Sequence, residues 1–191
     1  MKLMRFAVLA LAMLAAACSQ QKSGWHATDI SGAMPTLDFA MTRANDGKAV
    51  SGADYRGKVT ILYFGYTHCP DVCPTTLADL AEALDKVGAR RGDIRVLFVT
   101  VDPNRDTDAL MKGYVASFAP EIDGLRGTEN QLAALARRYR AAYSVTPGPD
   151  YTVMHGNAVF FFDKTGRIRL VTTDTKNVDG VVNDLKQLLD M

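Results

Sequence analysis

The chain's patterning predicts an α/β fold in which a mixed sheet is flanked by helices. Three observations carry this. Two nearly continuous apolar, β-branched and aromatic runs, Lys58 to Tyr66 (KVTILYFGY) and Ile94 to Val101 (IRVLFVTV), suit strands buried on both faces. A helical pattern separates them, so they should lie parallel. Two later runs, Asn157 to Asp163 and Arg167 to Thr173, are joined only by Lys164-Thr165-Gly166, so they should lie antiparallel.

In chain order, the first residues read as an address. Lys2 and Arg5 precede an apolar run from Phe6 to Ala17, followed by Cys18, which is the layout of a signal peptide over residues 1–17. The run is too short to span a hydrocarbon core of roughly 30 Å. Small residues directly before a cysteine predict acylation of Cys18, although the leucine expected three places earlier is Ala15. An ordinary cleaved signal, or an uncleaved anchor, is the competing reading. Residues 18–33 are polar and read as the lipidated cysteine and a tether, with local packing open to Trp25 and Ile30. The remaining residues, 34–191, are long enough for one domain with a real core.

Leu37, Phe39 and Met41 alternate before Asn45-Asp46-Gly47, predicting an added N-terminal β-hairpin. After the first long strand comes THCPDVCP. Leu77, Leu80, Ala81, Leu84 and Val87 then recur at helical spacing until Gly88 and Gly92. Asp102-Pro103 ends the second strand, and Thr107 to Phe118 reads as a helix. Asn130 to Tyr143 reads as another, capped by Thr128 with Glu129 in its first turn. Thr146 to Pro149 breaks the chain. Asn177 to Leu189 closes it as an amphipathic helix. A mixed sheet with a cysteine motif where the first strand meets its helix is the thioredoxin-like arrangement.

Charge narrows the function. The chain has 22 Lys and Arg against 21 Asp and Glu, and signal removal would leave 20 against 21. So balanced a chain, with no basic block, argues against nucleic acid or anionic lipid as a partner. Any membrane attachment should then be covalent. Export would place the chain where disulfides form. Yet one pair, Cys69 and Cys73, is no disulfide scaffold, and a bridge over so short a loop stabilises little.

Pro74 suits the first position of a helix, which puts Cys73 at the cap and Cys69 on the loop before it. Unpaired amides and the helix dipole should lower both thiol pKa values. Two such thiolates exchange disulfides or bind soft metals such as Cu(I). Use as small core residues fits poorly with flanking Pro, Asp and His. Three intervening residues, one more than thioredoxin-type enzymes have, leave room to straddle a metal. Of three histidines, His26 lies in the tether, and His68 should point away from Cys69 because neighbours alternate. His155 precedes a strand that a thioredoxin-like fold places beside the cysteine loop, which makes it the candidate third ligand.

GYTHCPDVCPTTL (Gly65 to Leu77), VDPNRDT (Val101 to Thr107) and the His155 region together resemble the Sco/SenC family. The likeness runs from about Met34 to the last helix. It implies an extracytoplasmic, membrane-anchored, thioredoxin-like protein, not an enzyme, that holds one copper, as Cu(I) or Cu(II), with Cys69, Cys73 and His155. It implies delivery of that copper to the CuA site of cytochrome c oxidase subunit II. Other periplasmic copper chaperones or thiol reductases are implied as further partners. The alternative is a thiol–disulfide reductase that acts on cysteines of the oxidase or other exported proteins through Cys69 and Cys73. A peroxide-reducing enzyme fits less well, because Leu62 stands where its proline would be.

The family's Asp-His-Ser is here Met154-His155-Gly156. Met154 either adds a thioether near the site or packs under the loop. Asp71 either meets a partner or steadies its loop. Asp102 and Arg105 end a strand where sites gather, but a turn and helix cap explains them equally.

Overall fold

The computed structural model describes residues 24–191. The expected signal peptide and Cys18 lie outside them. Strands are β1 (Thr28–Asp29), β2 (Ala40–Arg43), β3 (Lys48–Ser51), β4 (Val59–Gly65), β5 (Ile94–Thr100), β6 (Ile122–Arg126), β7 (Tyr143–Thr146), β8 (Thr152–His155), β9 (Val159–Phe162) and β10 (Ile168–Thr172). Helices are α1 (Val72–Val87), α2 (Asp108–Ala116), α3 (Glu129–Arg138) and α4 (Val178–Leu189).

Eight strands form one sheet in the order β1-β10-β9-β4-β5-β6-β2-β3. β4, β5 and β6 are parallel, and β9 runs antiparallel to β4, with Tyr63 opposite Val159. This is the thioredoxin-like mixed sheet that the patterning predicts, with the N-terminal hairpin β2–β3 added beside β6. β4 and β5 are central because their apolar runs can be buried on both faces. Val59, Ile61 and Tyr63 face one core with α1, α2 and α4. Leu62 and Phe64 face the other with α3, Phe39 and Met41. Each such side chain, fully buried, stabilises the fold by about 1.5–3 kcal/mol.

Three elements differ from the sequence reading. The tether expected over residues 18–33 is docked from Gly24 onward. Buried Asp184 of α4 accepts from the backbone N–H groups of His26 (2.7 Å) and Ala27 (2.8 Å). β1 then pairs with β10, and Ile30 packs on the second core. Secondly, EIDGLR holds an unpredicted strand, β6, because β5 beside it supplies the partner that its own mixed composition does not announce. Thirdly, the helix expected to run to Tyr143 ends at Arg138. Arg140 turns the chain with φ +54, and Tyr143 opens β7. β7 and β8 pair as a separate two-stranded sheet, with Tyr143 opposite His155. The break at Thr146 to Pro149 is the tip of this hairpin.

Candidate metal centre

Cys69 lies on the loop between β4 and α1, and Cys73 lies in the first turn of α1. The helix begins at Val72, two residues earlier than Pro74 predicts. Pro74 is third in the helix, where its missing N–H is still one that no carbonyl would have met. The Cys73 backbone N–H donates to Cys69 Sγ at 3.5 Å, so a sulfur serves the helix end. The loop is fixed from the side by Asp106, which is fully buried. Its carboxylate accepts from Thr67 N–H (3.0 Å), Thr67 Oγ1 (2.5 Å) and Thr100 Oγ1 (2.6 Å).

His155 ends β8, whose side chains alternate between half-buried and exposed. His155 and Val153 therefore face inward, while Thr152 and Met154 face out. His155 Nε2 lies 3.2 Å from Cys73 Sγ, and its Nδ1 lies 2.8 Å from the Gly156 carbonyl. A carbonyl can only accept, so Nδ1 carries the proton and Nε2 keeps its lone pair. That lone pair takes the Cys73 S–H, and it is the one a metal would use. The ring is wedged edge-on against Tyr66 (centroids 5.6 Å) and Tyr63 (6.2 Å). The Tyr63 hydroxyl, kept protonated by burial, donates to Cys73 Sγ at 3.7 Å.

The ligand atoms of Cys69, Cys73 and His155 all lie within 4.8 Å of one another. Both cysteines are free thiols, Cys69 half-buried and Cys73 buried. Two sulfurs and one imidazole nitrogen around one point suit a single soft ion. The predicted lowering of the Cys73 pKa is not what the structure gives. Burial pushes this thiol up to about 12, overriding the helix end. Cys73 therefore carries a proton at neutral pH, and an incoming metal must displace it. Metal affinity should rise at least about tenfold for each pH unit between about pH 6 and 8, because the Cys73 proton alone contributes one power of ten. Competition titration against a Cu(I) chelator across that range would measure it.

The other predicted residues are placed elsewhere. Asp71 is the exposed N-cap of α1 and makes no side-chain cap bond. Met154 is 70% exposed, so it neither packs under the loop nor joins the ligand atoms. Asp102 is fully buried. It pairs with Arg105 and accepts from the Tyr151 hydroxyl at 2.7 Å. His68 turns toward Thr67 and lies 3.6 Å from Asp106. His26 sits against Gly180 and Asn177 of the α4 end.

Sequence reasoning overlooked Gly65. A Cβ there would lie 2.6 Å from Phe98 Cε2 and 2.7 Å from Cys73 Sγ. Glycine ends β4 because the helix sulfur needs that space. Gly65→Ala should cost about 1–3 kcal/mol of stability by overpacking and weaken metal binding by displacing Cys73. Urea melts and metal titration of the variant would show both.

The SCO1/SenC family model matches residues 31–190. Protein SCO1 homolog 1, mitochondrial, of Arabidopsis thaliana is 37% identical over 156 residues, covering 78% of this chain and 46% of that protein. The chain spans about half the length of such curated relatives. Two copper-bound structures, of Bradyrhizobium japonicum ScoI and Arabidopsis thaliana ScoI, superpose with a TM-score of 0.74 each. Their identities are 37% and 35%; each alignment covers 81% of this chain, and 99% and 98% of theirs. In sequence and in fold, the chain belongs to the SCO1/SenC family.

Proposed function

We propose that this protein is a copper metallochaperone that holds one copper ion with Cys69, Cys73 and His155 and hands it to the CuA site of cytochrome c oxidase subunit II. The observation that carries the reading is the convergence of two sulfurs and an imidazole within 4.8 Å, from segments 82 residues apart. Copper is cargo here. The centre lies at the end of β4, with Cys69 and His155 only half-buried, so a partner's ligands can reach the ion without unfolding the core.

Residues 1–17 are proposed to be a signal peptide and Cys18 the acylated N-terminus of an extracytoplasmic, membrane-anchored lipoprotein. Among the described residues no helix is long and apolar enough to cross a membrane. Supporting the lipid reading is the run of small residues before Cys18, together with a charge balance too even to hold anionic lipid. Residues 18–23 then join the anchor to the folded part.

Thiol–disulfide reduction would use the same pair. The third ligand weighs against it, since dithiol exchange has no need of an imidazole set 3.2 Å from Cys73 Sγ. Metal analysis separates the readings. Reduced protein beginning at Ser19 should retain one copper per chain after desalting. No copper, with rapid reduction of a protein disulfide, would establish the enzyme instead.

A further inference from the structure

Among the described residues, two hydrogen bonds tie residues 142–156 to the rest of the molecule. One is the contact between Cys73 and His155, which belongs to the metal centre. The other is the Tyr151 hydroxyl donating to Asp102 Oδ1 at 2.7 Å. Besides ring contacts of Tyr151 and His155, the hairpin is held down by apolar packing, chiefly Tyr143 and Val153 against the second core. The hairpin closes on itself at its base, where the Gly156 N–H donates to the Ala142 carbonyl at 2.9 Å.

The Tyr151 tie is built from buried charge. Asp102 is fully buried and shares its carboxylate between Tyr151 and Arg105. The Arg105 guanidinium lies 3.9 Å from the centroid of the Tyr151 ring, close enough for cation–π attraction, and 6.0 Å from that of Tyr66. Tyr66 in turn abuts His155. Alongside runs a cleft of about 400 Å³, lined by Asp102, Arg105, Leu132, Val145 and Tyr151, so the hairpin bridges the body instead of sinking into it.

The turn after β5 thus holds both halves of the centre. Asp106 grips the Cys69 loop through Thr67, and Asp102 grips the His155 hairpin through Tyr151. Tyr151 stands near the hairpin tip and His155 at its base, four residues or about 13 Å along an extended strand. A tie at the far end of a lever fixes its angle. With the tie broken, rotation about the base turns the imidazole away from Cys73.

We infer that Tyr151 and Asp102, backed by Arg105, are positioning residues that latch the His155 hairpin, and that opening this latch governs how fast the centre gives up copper. The release part rests on the copper reading above. Opening takes the nitrogen from the ion and leaves two sulfurs with an open position for a partner's ligand.

Tyr151→Phe keeps the ring over Arg105 and removes only the donor. In hydrogen exchange on the reduced, metal-free variant, amides of residues 143–155 should exchange about tenfold faster, as loss of one hydrogen bond to a carboxylate implies, while β4 and β5 stay at the wild-type rate. Copper-loaded variant, still at one copper per chain, should lose its metal to bathocuproine disulfonate about tenfold faster than wild type. Unchanged exchange in the hairpin overturns the latch, and so does a rise shared equally by β4 and β5, which would mark a general stabiliser. A wild-type rate of copper loss overturns its control of release. If wild type takes up no copper, the metallochaperone reading has failed, and the exchange result alone decides the latch.

Discussion

Cys73→Ala is expected to abolish copper binding and leave the fold in place. Cys73 meets both other ligand residues: its Sγ lies 3.2 Å from His155 Nε2, and its backbone N–H donates to Cys69 Sγ. Without it the remaining donors, Cys69 and His155, lie on two separately held segments. Affinity should fall by more than the 10–100-fold that loss of a mere supporting group costs, so by over about a hundredfold. The structural cost is small by comparison. Removing one buried sulfur leaves a cavity near that of an Ile→Val change, roughly 1 kcal/mol. Metal analysis and a urea melt on one preparation check both halves. A variant that keeps its copper would mean that another group holds it.

The His155→Ala change should lower copper affinity by more than about a hundredfold while sparing dithiol chemistry. His155 offers the only imidazole near the sulfurs: His68 turns to Asp106 and His26 lies at the end of α4. Neither can substitute. The cysteines, in contrast, keep their relative placement, because the Cys69 loop is pinned by Asp106 and the helix by its own first turn. A Cu(I) competition titration should therefore move sharply, and the oxidation of the pair by oxidised glutathione, which is itself reduced to two thiols, should scarcely change. Equal damage to both would show that His155 serves chiefly to hold the cysteine loop.

How much of this could be read beforehand follows from the range of each interaction. The cysteine pair was legible because its pattern is local: a strand, two thiols, a proline and an amphipathic helix within one contiguous stretch. β4 and β5 were legible for the same reason, as long apolar runs. β6 was not, since EIDGLR becomes a strand through β5 at its side. The hairpin of His155 was half legible. Tyr143 to Thr146 and Thr152 to His155 do alternate, but the helical spacing before them runs on smoothly, and Arg140's left-handed turn is invisible in composition.

Long-range partners were the least legible. Asp184 captures residues 26 and 27 from 157 or more positions away, so a polar stretch that reads as a tether is docked. Asp102 looked like a turn residue or a site residue, and its partner Tyr151 lies 49 positions on. The thiol of Cys73 shows the same limit in electrostatics. Its sequence neighbours argue for a lowered pKa, yet the core packed around it by β4, α1 and the far hairpin raises it.

X-ray absorption at the copper edge of the loaded protein is the most direct test. Two sulfurs and one nitrogen in the first coordination sphere, with the nitrogen lost in His155→Ala, is the predicted result. A sphere of nitrogen and oxygen with no sulfur would contradict the account.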